Sequence, residues 1–102
     1  MPEYKIEILS PAAKDIEQIA EYHLRMVGPG SAEEITDKLL DVIQILEDHP
    51  FTGMEHPDDI LRKQNYRKLI SGDYICVYKV IGKRVFIYRV VHGATDYPKL
   101  FV

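Results

Sequence analysis

At Asn65 the hydrophobic period of this chain changes from the helical value to the value of two, and that switch limits the possible folds more than any other feature. Before it, Ala13, Ile16, Ile19/Ala20, His23/Leu24 and Val27 recur at helical spacing, as do Ala32, Ile35, Leu39, Val42, Ile43 and Leu46. After it, apolar and polar residues alternate over Tyr66–Ile70, Tyr74–Val80 and Arg84–Val91, with turns at Ser71-Gly72-Asp73 and Gly82-Lys83 between them. Alternation at Tyr4–Leu9 predicts one more strand ahead of the helices. Ser10-Pro11 reads as an N-cap with proline at the first helical position, where no N–H is needed. Gly28-Pro29-Gly30 stops that helix, and Ser31 with Glu34 makes a capping box for the next, which ends before Pro50. Residues 50–64 read as a loop.

The order β-α-α-β-β-β over a single domain, residues 1–102, predicts an α+β fold. A helical hairpin covers one face of a small, mainly antiparallel sheet, and the other face is left partly open. A composition 46% hydrophobic and 28% charged fits a globular chain, and no apolar run has the length of a membrane span. The N-terminus lacks a basic stretch followed by an apolar one, so no signal peptide is expected. The single cysteine, Cys76, sits in a strand pattern and reads as a buried thiol in a reducing cytoplasm. The net charge of −3 hides a division: residues 1–61 carry 4 Lys/Arg against 14 Asp/Glu, and residues 62–102 carry 9 against 2. A basic part of this kind suits an acidic partner, a nucleic acid or an acidic protein segment.

The residues that invite a chemical reading gather near the end, in "YRVVHGATDYPKLF". Arg89 stands among Val and Ile and needs either a carboxylate, for which Asp96 is close in sequence, or a target. His92 is either a structural residue bonded to a nearby backbone carbonyl or a general acid or base. Tyr97 either packs or stacks on a partner's ring, and Phe101 reads as a tail anchor. Arg62, Arg67, Lys68, Lys79 and Arg84 complete the basic set; Arg67 and Lys68, being adjacent, point to opposite faces of their strand. Scattered histidines, with no second ligand at helical spacing, argue against a metal site, and no phosphate loop or nucleophile elbow suggests a cofactor.

Over essentially its full length the chain resembles the RelE/ParE superfamily, toxins of bacterial type II toxin–antitoxin pairs, through the element order, the "NYRKLISGDYICVYKV" hairpin and the "RVVHGATDYPKLF" ending. The resemblance implies a small cytoplasmic toxin of the plasmid-stabilisation kind, without cofactor. A cognate antitoxin wraps it, operator DNA is met only through that antitoxin, and no membrane is involved. RelE-like members are ribosome-dependent mRNA endoribonucleases; for that activity the resemblance implies Lys68, Arg89, His92 and Tyr97. An arginine of that branch falls where this chain has Ile75. "RVVHGATDYP" is more similar to the ParE-like branch, whose members bind and inhibit DNA gyrase. For the antitoxin or the target the expected contacts are Arg62, Arg67, Arg84, Arg89 and Tyr97. A third reading is a non-toxic member kept as a binding partner or co-repressor.

Overall fold

The computed structural model describes residues 3–101. Its elements are β1 (Lys5–Ile8), α1 (Ser10–Met26), α2 (Pro29–Gln44), β2 (Met54–Glu55), α3 (Asp59–Lys63), β3 (Arg67–Ser71), β4 (Tyr74–Ile81) and β5 (Arg84–His92). Short 3₁₀ turns follow α2 at Ile45–Glu47 and close the chain at Tyr97–Phe101. The sheet runs β1-β5-β4-β3-β2. Only the β1–β5 contact is parallel; β2–β3 and the meander β3-β4-β5 are antiparallel. The α+β class and the helical hairpin are as the periodicity predicts. Among the described residues no helix is long and apolar enough to cross a membrane.

Several boundaries differ from the sequence reading. Ser10 is the first helical residue of α1, not its cap; extended Leu9 takes that place, and no side chain caps the end. In α1 Ala12, Asp15 and Ile16 are buried, whereas Ala13, Leu24 and the C-cap Val27 face solvent. Gly28, at φ 144°, makes the reversal into α2, a backbone conformation that a side chain would strain. Helix α2 therefore begins at Pro29, and Ser31 lies inside its first turn instead of capping it.

The predicted loop of residues 50–64 contains β2 and α3. Asp58 caps α3, its carboxylate accepting the N–H groups of Ile60 and Leu61. The stretch before β2 is fastened from beneath: the Tyr78 hydroxyl donates to Pro50 O at 2.8 Å and accepts Gly53 N–H at 3.0 Å. Arg67 Nη2 donates to Gly53 O at 2.6 Å.

The hairpin buries one core: Ile16, Leu39, Ile43 and Leu46 pack on Cys76, Tyr78, Val85, Ile87 and Val90. Burial pushes the Cys76 thiol up to about 12, consistent with an inert core residue. The opposite face is not open. Leu61 of α3 and Tyr97 of the C-terminal turn cover Tyr66, Ile75, Val77 and Val91 there, and Phe101 packs on as the anchor the sequence suggests. A β-bulge interrupts β5. Val77 faces Arg89 but Tyr78 faces Ile87, so Tyr88 is the extra residue. Alternation flips there: Val90 joins the helix-side core of Val85 and Ile87, and Val91 joins the other.

Candidate partner-binding cleft

The buried residues of the hairpin lie toward one end. Those of α1 are in its first half and those of α2 in its second, so the hairpin's tip projects over the β3–β4 turn without a deep apolar anchor. Beneath it opens a cleft of about 690 Å³. Ile19, Ile35 and Val90 give it an apolar floor; Tyr22, Lys38, Asp73 and His92 stand at its polar edges. His23 spans one wall. Its Nδ1 is 3.0 Å from the Ser31 hydroxyl on α2 and its Nε2 is 3.1 Å from the Tyr74 hydroxyl at the start of β4. Burial, then Tyr22 and Asp73 nearby, raises the Tyr74 pKa, so this hydroxyl stays protonated.

Asp15 closes the cleft's inner end. Its carboxylate accepts Arg89 Nε at 2.7 Å and Nη2 at 2.9 Å, and also Val90 N–H at 2.9 Å. Strand β1 reaches only as far as Ile87 along β5, and the carboxylate takes the amide that a longer β1 would have taken. The bonds to Asp15 raise the Arg89 pKa. Asp96, expected as the arginine's partner, instead meets Lys99 at 3.1 Å.

The remaining sequence-derived residues scatter. Tyr97 is buried, and its hydroxyl lies 2.7 Å from Nε2 of His56, itself buried; burial raises the tyrosine's pKa, and the Asp58 charge raises it further. His92 is exposed at the end of β5, against the ring of Tyr74. It does not donate to a carbonyl; its Nδ1 accepts Ala94 N–H at 3.1 Å. Arg62 pairs with Asp59 and Arg84 with Glu7, and Arg67 holds the loop before β2 while its guanidinium stacks on Phe51. Each of the singled-out arginines thus meets an acceptor of its own chain. Lys68 and Lys79 make no ion pair among the described residues, and Lys79 rests on the rings of Tyr66 and Tyr88. The structure therefore brings only His92 to the cleft, with Arg89 reaching its inner end through Asp15. No three His, Cys, Asp or Glu side chains converge as a metal ion would need among the described residues.

Sequence reasoning missed Asp15, His23 and His56 as structural polar residues, and it assigned Ser31 to a helix cap where the structure bonds it to His23. A signal existed for the first: Asp15 interrupts the apolar stripe of α1 between Ala12 and Ile16, and Arg89 interrupts the apolar stripe of β5. Two misplaced opposite charges, each on a buried stripe, are expected to meet.

None of the curated proteins matches this chain. Among solved structures, a chain of the chromosomal ParDE toxin–antitoxin system from P. aeruginosa is similar, with TM-score 0.76 and 18% identity over 88% of this chain and 96% of that one. A chain of the RelBE2 toxin–antitoxin complex from Mycobacterium tuberculosis is similar with TM-score 0.65 and 19% identity, over 93% and 97%. At such identities the likeness shows the fold. The family model of the ParE toxin of the type II toxin–antitoxin system, parDE, matches residues 6–97, and the chain belongs to that family.

Proposed function

We propose that this ParE-family toxin inhibits growth by binding DNA gyrase without catalysing a reaction, and that a cognate antitoxin neutralises it. One observation carries the non-catalytic part. Of the groups a RelE-like nuclease reading would use, the Tyr97 hydroxyl is buried on His56 and the Arg89 guanidinium is held in two bonds by Asp15. A nuclease that drives a 2′-hydroxyl onto its own phosphate needs free cations and a proton donor and acceptor at one place. Here those groups hold the fold together, and buried Ile75 stands where that branch has an arginine. Membership of the ParE family favours gyrase over the ribosome as the target.

The antitoxin's seat in this reading is the cleft under the hairpin tip. Its apolar floor suits an amphipathic segment, and its polar edges suit hydrogen bonds that fix orientation. The test is induced expression in bacteria with supercoiling by purified gyrase and mRNA integrity on programmed ribosomes followed in parallel. Loss of supercoiling with intact mRNA is the expected result. Cleaved mRNA with unaffected gyrase would overturn the reading in favour of a ribosome-dependent endoribonuclease.

A further inference from the structure

The hairpin tip poses a mechanical problem. The last apolar residues of α1, Leu24 and Met26, and its C-cap Val27 are 48%, 67% and 74% exposed, and so do not hold the tip. Only Ile19 and Ile35, both partly buried, pack on the core from this half. Yet the height of the tip over the β3–β4 turn is the height of the cleft.

We infer that His23 is the positioning residue of the cleft: it tethers α1 to Ser31 on α2 and to Tyr74 on β4, and so holds the tip at one distance from the sheet. Geometry and chemistry both support this. The imidazole is the one side chain of the described cleft wall bonded to all the parts that must stay in register. Its partners are both hydroxyls, which donate or accept by rotating. The tether therefore keeps both bonds whichever ring nitrogen carries the proton, and keeps them when the ring is protonated. A fixed cleft binds more tightly than a fluctuating one, because a partner otherwise selects the competent fraction of an ensemble. As far as that partner is the antitoxin, the inference rests on the reading above.

The test has two arms. In the first, spin labels on Met26→Cys and on Ile70→Cys beside the β3–β4 turn, both exposed positions, report the distance from tip to sheet. Cys76, buried and with its thiol pushed up to about 12, stays unlabelled at neutral pH. A narrow distance distribution is expected for the otherwise native chain, and a broad one after His23→Ala or Tyr74→Phe. Tyr74→Phe keeps the ring and the fold, and His23→Gln, which bridges two hydroxyls, should restore the narrow distribution. Unchanged distributions in both His23→Ala and Tyr74→Phe overturn the inference. In the second arm the cognate antitoxin of the proposed function is titrated against Tyr74→Phe and against Ile19→Lys, which charges the cleft floor. About tenfold weaker binding to Tyr74→Phe is expected, as for a competent fraction reduced to roughly a tenth. A broadened tip with unaltered affinity for both variants overturns the cleft as the antitoxin's seat while leaving the tether standing. Weakened binding to Ile19→Lys alone overturns the tether's part in recognition.

Discussion

Asp15 and Arg89, 74 residues apart in sequence, meet side chain to side chain, and the same carboxylate takes the Val90 amide. One residue of α1 thus fixes the bulged strand β5 and occupies its unpaired edge, the place where a foreign strand adds to an open sheet. Removing the carboxylate leaves a half-buried guanidinium and a buried amide without acceptors. Asp15→Ala should lower unfolding stability by about 3 kcal/mol, typical of breaking a buried pair on one side. Arg89→Leu in the same chain should recover part of that loss, because the orphaned charge goes with it. Urea unfolding of the two single variants and the double variant closes the cycle; strictly additive losses would show that the residues do not interact.

The pairing was half legible in the sequence. Arg89 visibly needed a carboxylate, and Asp96 was the wrong choice because nearness along the chain stood in for nearness in space. The fold class followed from periodicity, since one buried stripe per element leaves few arrangements. Ser31 was misread for a different reason: "GPGSAEE" offers a capping serine and a glutamate at the right spacing, but Pro29 already starts the helix and Gly28 makes the turn. The serine was thereby released for His23. The second core escaped notice because its cover, α3 and the C-terminal turn, consists of pieces too short to show a period.

Gly53 is required by close approach. A Cβ there would lie 2.6 Å from both Lys68 O and the Tyr78 hydroxyl, and neither is the end of a flexible chain. Gly53→Ala should cost roughly 2 kcal/mol, as overpacking does, and displace the strand β2. Tyr78→Phe removes the hydroxyl instead and leaves Gly53 N–H and Pro50 O unpaired, costing about 1–3 kcal/mol. Thermal unfolding measures both, and hydrogen exchange at residues 50–55 should rise in each variant. Native-like protection there would mean that Tyr78 is not the fastening.

His56 makes stability depend on pH. Its Nδ1 accepts Asp58 N–H at 3.0 Å, a bond that a protonated ring cannot make. Burial and then the Lys68 charge lower its pKa from the ordinary 6.5, against the opposing effect of Asp58. The folded chain therefore holds the neutral ring, whereas the unfolded chain takes up a proton near pH 6.5. The contribution is complete above that pH and falls as pH drops from there through the folded-state pKa. Unfolding free energy measured from pH 8 to pH 5 should show this loss, and His56→Gln should remove most of it. Lys68→Met raises the histidine's pKa toward its unfolded value and should make the loss smaller. A larger loss in Lys68→Met would refute this account of the shift.

His92 and Tyr97 separate binding from catalysis. His92 is exposed at the cleft and accepts Ala94 N–H at Nδ1, so His92→Ala removes that turn bond and an edge contact with the Tyr74 ring but no buried anchor of the fold. Tyr97→Phe leaves buried His56 without its hydroxyl partner and should cost about 1–3 kcal/mol of stability. A toxin that works by binding gyrase loses neither its surface nor its target through these changes. Growth inhibition by both variants should stay within a few-fold of the wild type at a temperature where both remain folded. A nuclease that used either group as its proton donor or acceptor would instead lose roughly 10²–10⁴ in rate. The deciding measurement pairs growth after induction with the cleavage pattern of mRNA on programmed ribosomes. Cleavage positioned by codon in the wild type, and abolished by His92→Ala while the fold persists, would make this chain an endoribonuclease despite the internal engagement of Arg89 and Tyr97. Intact mRNA with arrested growth in all three proteins leaves binding as the mode of action, and the gyrase supercoiling assay then tests the target.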